Sequence, residues 1–121
     1  MSLDEYIRAH RNTRFRYGRH DCALFAAGWV REAIGLDLTL GITYRSRKDG
    51  FEQLRAAGYE SHVHVTAAML TEIVPLLARP GDLAVVEDAL GIVLDERIAA
   101  PGPKGLMLGP LTSATRAFRV I

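Results

Sequence analysis

Residues 17–35 read YGRHDCALFAAGWVREAIG and contain the only cysteine of the chain, Cys22, together with its clearest helical pattern. The apolar residues of this stretch recur at spacings of three and four, which is typical of a helix with one buried face. Asp21 precedes the pattern and predicts an N-cap, because its carboxylate can accept hydrogen bonds from the free N–H groups of the first turn. Gly35 follows the pattern at the position where helices commonly end. The sequence therefore predicts a buried helix that begins at Cys22.

The position of Cys22 allows two interpretations. A helix N-terminus carries partial positive charge, which favours a thiolate, and reactive cysteines are often found there. Free cysteine is also among the residue types most often buried in protein interiors, so a structural side chain is the other interpretation. Taken alone, this stretch favours the structural interpretation.

Length and composition indicate a single domain over residues 1–121. Hydrophobic residues make up 49%, which is enough for a real core. The chain has 15 basic and 14 acidic residues, so it lacks the basic surplus of nucleic-acid binders, and we expect no nucleic-acid partner. A local cluster of arginines, without a glycine-rich loop or interleaved aromatic residues, indicates a solvated face: Arg8, Arg11, Arg14, Arg16 and Arg19.

A single cysteine excludes an internal disulfide and a cysteine-rich zinc site, and we expect no metal or cofactor. The first residues lack the basic head and apolar run of a signal peptide. No stretch approaches the roughly 20 apolar residues that a membrane-spanning helix needs. We therefore expect synthesis in the cytoplasm and no membrane span.

The first half of the chain predicts further helices. Leu3, Tyr6 and Ile7 indicate a short first helix with acidic residues in its first turn. Residues 36–47 predict a loop, and a second, shorter helix is expected from about Asp49, ended by Gly58. Alternation over residues 62–65 predicts a short strand or extended loop. Thr66 is then expected to cap a third helix that ends near residues 75–77.

The second half has a different pattern. Short apolar segments separated by turns predict strands at residues 83–86, 90–94, 97–100, 105–108 and 116–121, with a loop at 101–103. Helices first and an antiparallel meander second indicate an α+β fold, in which N-terminal helices pack on a C-terminal antiparallel sheet.

Three motifs occur in a defined order along the chain. Asp21-Cys22 opens the apolar helix, Gly81-Asp82 opens the first strand after the helices, and residues 89–93 read ALGIV. Together they resemble the NlpC-type superfamily of small papain-like cysteine peptidases, in which the third motif reads like His-Val-Gly-Ile-Tyr. The resemblance covers nearly the whole chain and implies a papain-like NlpC-type fold.

Other motifs are similar to a branch of small phage and prophage proteins encoded among tail genes. Members often show Phe-x-Tyr/Trp-Gly-x-His/Asn-Asp-Cys near the start, a Tyr-Arg segment after the helix and a terminal aromatic-Arg-Val. The matching segments are residues 15–22, residues 44–45 and residues 118–120. The order of these motifs, rather than any one of them, carries the resemblance.

The resemblance implies a candidate nucleophile and a missing base. In active family members the cysteine, here Cys22, attacks a peptide carbonyl of peptidoglycan, a histidine on the neighbouring strand takes its proton, and a polar residue on the next strand orients that histidine. The matching positions are Ala89 and a residue near Ala99, and no histidine follows His64. General-base help is worth roughly two to four powers of ten in rate, so its loss implies a poor hydrolase.

The remaining histidines have open interpretations. His20, two residues before Cys22, is a candidate base or a polar residue that stabilises its loop. His62 and His64 would share one face of a strand, either as the start of a metal pair or as surface residues. His10 suits the C-terminal end of the first helix.

The resemblance implies two functions. The first is a structural or assembly protein of the tail tip of a phage, prophage or gene-transfer particle, located in the virion tail and bound to the hub and distal tail protein within a symmetric assembly. Such a protein should show an apolar or charged docking patch. The alternative is an active tail-associated peptidase or amidase that uses Cys22 on peptidoglycan, with His20 or a neighbouring subunit's histidine as base. A bacterial acyltransferase or binding module of the same fold is a third interpretation.

Overall fold

The computed structural model describes residues 1–121 and has an α+β architecture. The helices are α1 (Leu3–His10), α2 (Cys22–Ile34), α3 (Arg47–Ala56) and α4 (His62–Met69). The strands are β1 (Thr71–Ile73), β2 (Leu83–Val86), β3 (Ala89–Val93), β4 (Arg97–Gly102), β5 (Gly105–Pro110) and β6 (Arg116–Arg119). Short 3-10 turns cover Pro75–Leu77 and Leu111–Ser113. The prediction of helices first and strands afterwards is confirmed.

All six strands form one antiparallel sheet in the order β1-β6-β2-β3-β4-β5. Strands β2 to β5 are the predicted meander. Strand β6 returns across the sheet and pairs with both β1 and β2. The α2 helix packs on this sheet, mainly on β3, and so its N-terminus lies beside the turn that joins β2 to β3.

The core forms between α2 and the sheet. Phe25 and Trp29 on α2 are buried against apolar side chains of the sheet, among them Leu83, Ile92 and Phe118. Burial of side chains of this size stabilises the fold by about 1.5–3 kcal/mol each. The apolar stripe predicted for α2 is therefore its core face.

Both predicted ends of α2 are confirmed. Asp21 Oδ1 accepts a hydrogen bond from Leu24 N at 2.9 Å, as an N-cap does. Gly35 has φ +71°, a left-handed conformation that glycine adopts without steric cost. A long-range hydrogen bond of 2.8 Å from Trp29 Nε1 to the Gly81 carbonyl fixes α2 to the start of β2.

The Gly81-Asp82 motif has a structural role at the start of β2. Asp82 is buried and accepts hydrogen bonds from Val120 N at 3.0 Å and from Arg79 N at 2.8 Å. Arg119 Nε lies 3.1 Å from Asp82 Oδ2, an ion-pair contact without hydrogen-bond geometry. Asp82 thereby joins the start of β2 to the end of β6.

The strand or extended loop predicted for residues 62–65 is wrong, because these residues form the first turn of α4. The Ser61 side chain accepts a hydrogen bond from His64 N at 3.1 Å and caps the helix. Thr66, which we predicted as the cap, lies inside the helix and donates from Oγ1 to the His62 carbonyl at 2.8 Å. The N-cap at Ser61 stabilises a helix here, although the alternation over residues 62–65 is typical of a strand.

The predicted third helix also ends earlier than expected, at Met69, because residues 71–73 pair with β6 as strand β1. The Arg116 guanidinium and the Glu72 carboxylate form an ion pair of 2.7 Å across these two strands. In addition, α3 begins at Arg47 rather than Asp49, since Ser46 caps it. Strand β4 extends to Gly102, into the predicted loop.

None of the helices is both long enough and apolar enough to cross a bilayer.

Candidate functional site

A cleft of about 200 Å³ opens where the N-terminus of α2 meets the β2–β3 turn, and we call it the Cys22 cleft. Its walls are largely aromatic and aliphatic, with four charged residues, one of which is the helix cap Asp21. The lining residues used below are Phe15, Tyr17, Cys22, Tyr44, Arg47, Phe51, His62, Glu87, Asp88, Ala89 and Leu90. An apolar cleft with a few polar groups is the usual form of a ligand or peptide site.

Cys22 is the first residue of α2 and is half-buried. Burial raises the pKa of the Cys22 thiol, and the negative charge of Asp21 raises it further, while a backbone hydrogen bond opposes them. The thiol is therefore protonated at neutral pH. These surroundings differ from those of an activated cysteine, whose pKa is lowered by nearby positive charge.

Asp21 is buried, with 4% of its surface exposed, and its carboxylate is fully engaged. It accepts hydrogen bonds from Gly18 N at 3.0 Å, from Leu24 N at 2.9 Å and from the Tyr44 hydroxyl. Burial, followed by this contact with Asp21, raises the pKa of Tyr44, so the phenol remains a donor. Asp21 acts as the predicted helix cap and also orders the wall of the cleft.

Ala89 is the first residue of β3 and lines the Cys22 cleft. Its methyl group cannot accept a proton from the thiol. Ala99, near which the resemblance places the orienting residue, lies opposite Ile92 and is completely buried in the core. Neither position supplies a proton-transfer group.

The structure places His20 away from the Cys22 cleft. His20 is buried, and its ring stacks on His10 with the centroids 5.4 Å apart and the planes 5° from parallel. Phe25 contacts its ring edge-on, and His20 Nε2 has no hydrogen-bond partner. Burial lowers the pKa of His20, and the neighbouring His10 lowers it further.

His62 lines the Cys22 cleft, and sequence reasoning missed it because residues 62–65 were predicted as a strand. Its ring lies 5.8 Å from that of Tyr44, centroid to centroid. Burial lowers the pKa of His62, although the charge of Asp21 partly offsets this, so the imidazole is neutral at neutral pH. The Ser61 cap was the signal that would have placed His62 in the first turn of a helix.

His64 is exposed, and its contacts differ from those of His62. Its Nδ1 accepts a hydrogen bond from Glu60 N at 3.0 Å. No group of three or more histidine, cysteine, aspartate or glutamate side chains is placed to hold a metal ion.

The rim of the cleft includes an unusual turn. Val86 pairs with Ala89, so Glu87 and Asp88 form a two-residue hairpin loop. Their φ angles are +49° and +65°, and both residues are exposed. Positive φ at both positions is typical of a type I′ turn, in which asparagine and glycine are preferred. Two residues with carboxylate side chains therefore lie at the rim in a backbone conformation that asparagine and glycine adopt at lower cost.

The chain belongs to the family described as a domain of unknown function, DUF6950, whose profile matches residues 1–120. We find no match to the chain among curated proteins.

Proposed function

We propose that this DUF6950 chain is an NlpC-like, papain-like domain that has lost its hydrolase activity and serves as a structural or assembly component of a tail tip, in a phage, a prophage or a gene-transfer particle. The order of Asp21-Cys22, Gly81-Asp82 and the Ala89 strand supports the fold assignment. The packing of α2 on an antiparallel meander is compatible with it.

The observation that carries the proposal is Ala89 beside Cys22 in one cleft. The matching residue of an active relative would be the histidine that deprotonates the thiol. Here a methyl group takes that place, and the Cys22 pKa is raised rather than lowered. Loss of general-base help slows such a reaction by roughly two to four powers of ten, so the fold is better suited to a scaffold than to a peptidase.

An exposed apolar surface supports a role in assembly. Val74, Leu76 and Leu77 leave 59%, 71% and 67% of their surfaces exposed. Contiguous exposed apolar side chains are typical of protein contact sites. In a tail tip, such a surface would be covered by a neighbouring subunit of the assembly.

Gene replacement in the parent phage or prophage tests the proposal. Deletion of the gene should leave particles without a complete tail tip. Wild-type protein and Cys22→Ala should restore infectivity equally, and both should be detected in purified tails. A folded Cys22→Ala variant that enters particles and fails to restore infectivity would contradict a purely structural role.

A second candidate, the active peptidase or amidase, is favoured by one observation: His62 is a neutral imidazole in the Cys22 cleft. In that case His62 would take the thiol proton as sulfur attacks a peptide carbonyl and would give that proton to the departing amine, and water would later release the acyl group from the cysteine. Peptidoglycan fragments incubated with wild-type, Cys22→Ala, His62→Gln and the control His64→Gln separate the two functions. Peptide release that needs both Cys22 and His62 supports the enzyme, whereas no release supports the scaffold.

A further inference from the structure

We infer that residues 74–79 of one copy of this chain bind in the Cys22 cleft of a second copy, head to tail. We call residues 74–79 the apolar segment. The inference concerns self-association and is independent of whether the protein belongs to a tail tip.

The apolar segment presents three large side chains to solvent. Val74, Leu76 and Leu77 are each more than half exposed. Pro75 begins the 3-10 turn, and the residues on either side of that turn are extended, so the segment stands as a short ridge. A ridge of this composition gains free energy when a partner covers it.

The Cys22 cleft has complementary walls. Tyr17, Tyr44 and Phe51 supply aromatic surface, and the small Ala89 leaves room where a larger residue would fill the cleft. An aliphatic side chain such as Leu76 is suited to such a site.

The charges also match. Glu87 and Asp88 lie at the rim of the cleft and form no ion pair within the chain. Arg79 closes the apolar segment, is exposed, and its guanidinium forms no ion pair either. Seating the apolar segment in the cleft would bring Arg79 toward the two carboxylates, and opposite charges at a rim favour one partner and one orientation.

The β2–β3 turn supports a functional use of these carboxylates. Glycine or asparagine would adopt its positive φ angles at lower cost than Glu87 and Asp88. Residues held in unfavourable backbone conformations are concentrated at functional sites.

The two surfaces lie at opposite ends of β2. The apolar segment precedes Leu83, where β2 begins, while the turn at the rim follows Val86, where β2 ends. The strand therefore separates the ridge from the cleft of the same chain. A contact between different surfaces of two copies is heterologous, and it closes into a ring or extends as a filament according to its rotation.

Sedimentation velocity tests the inference. The concentration series should extend to about 1 mM, because specific complexes can have dissociation constants that high. A three-side-chain ridge buries far less than the roughly 1,200 Å² of a stable interface, so we expect a concentration-dependent association. Leu76→Asp and Ala89→Trp should each be monomeric at all concentrations. Tyr17→Asp is a second cleft variant at an exposed position, in case the tryptophan disturbs folding.

An equimolar mixture of Leu76→Asp and Ala89→Trp gives the sharpest result. The first variant keeps a working cleft and the second keeps a working apolar segment, so the mixture should form dimers and nothing larger. Met107→Asp, at a position as exposed as Val74 but on β5, is the matched control and should associate like the wild type.

A charge reversal tests the contribution of the rim. Glu87→Lys with Asp88→Lys should abolish association, and adding Arg79→Glu to the same chain should restore it.

A wild-type chain that stays monomeric at every concentration would overturn the inference. The apolar segment would then be a binding site for a different protein. Association that survives both Leu76→Asp and the cleft variants, or a mixture that stays monomeric, would overturn it as well. Circular dichroism and thermal melting establish that each variant is folded.

Discussion

The Tyr44 hydroxyl donates a hydrogen bond to Asp21 Oδ2, and this contact ties the cap of α2 to the wall of the Cys22 cleft. The same carboxylate holds Gly18, whose close approach to Tyr44 leaves no room for a Cβ atom, because that atom would lie 2.0 Å from the Tyr44 carbonyl oxygen. One buried charge therefore orders three segments of the chain around the cysteine.

Removal of the phenol should destabilise the fold. Tyr44→Phe leaves the buried Asp21 carboxylate without one of its three donors, and hydrogen bonds to charged groups contribute about 1.5–3 kcal/mol each. We expect a loss of about 2 kcal/mol in the free energy of unfolding, measured by urea denaturation. Tyr59→Phe, at a half-buried tyrosine outside the cleft, is the control. Equal stability of the two variants would show that the Asp21–Tyr44 contact contributes nothing.

Neutralising Asp21 should make Cys22 more acidic. Asp21→Asn removes the charge that raises the pKa of the thiol and keeps a good N-cap. The inflection in the rate of alkylation against pH should move to lower pH than in the wild type. Asp37→Asn, at a distant exposed carboxylate paired with Arg31, should leave it in place. An unchanged inflection in Asp21→Asn would mean that burial alone sets the thiol pKa.

Stability should fall below about pH 6.5. Burial lowers the pKa of both His20 and His62 in the folded state from the ordinary value of 6.5, so the unfolded chain binds these protons first. Their contribution is fully present above pH 6.5 and is lost as the pH falls toward the folded-state values. Urea denaturation between pH 8 and pH 5 measures it. His20→Gln and His62→Gln should each flatten this dependence.

The β2–β3 turn should accept a stabilising change. Glu87→Asn with Asp88→Gly relieves the backbone strain of the left-handed conformation, which costs about 1–2 kcal/mol per residue. This gain exceeds the conformational-entropy cost of introducing glycine, about 0.5–1 kcal/mol. We therefore expect a gain of roughly 0.5–1 kcal/mol by thermal or urea denaturation. The same pair at Asp95 and Glu96, where φ is not positive, should give no gain. A loss of stability at the first turn would show that its carboxylates make contacts that hold it together.

Gly81 should tolerate no side chain. Its φ is +94°, and a Cβ atom would lie 3.3 Å from the Trp29 ring, so Gly81→Ala combines backbone strain with crowding at the hydrogen bond to Trp29. We expect a loss of about 1–3 kcal/mol in the free energy of unfolding. Gly109→Ala is the matched control, because its Cβ would meet nothing within 4 Å and its φ is not positive. A neutral Gly81→Ala would contradict this account of the motif.

The parts of the fold that local chemistry determines could be predicted from the sequence. Asp21, Gly35 and the stripe between them defined α2, and the turn after Val86 separated β2 from β3. The errors fell where distant partners decide the structure. Thr71–Ile73 is a strand only because β6 pairs with it, and β6 lies more than forty residues away.

The candidate site was predicted in part. Cys22 and Ala89 share a cleft, as the resemblance implied, because the end of α2 and the start of β3 meet there. His62 was not predicted, since its position depends on the Ser61 cap and on how α4 packs beside Tyr44. His20 lies only two residues before Cys22 in sequence, yet its side chain points to α1 and stacks on His10.

The interior position of β6, between β1 and β2, has a consequence for biosynthesis. β6 is the last of the six strands of this sheet to leave the ribosome, but it lies between β1 and β2, where Ala117 pairs with both Ile73 and Ala84. A nascent chain that ends before residue 116 must therefore hold the edge of β2 unpaired, with buried residues such as Leu83 and Ala84 open to other chains. Folding of this sheet is thus expected to finish only after translation has passed β6.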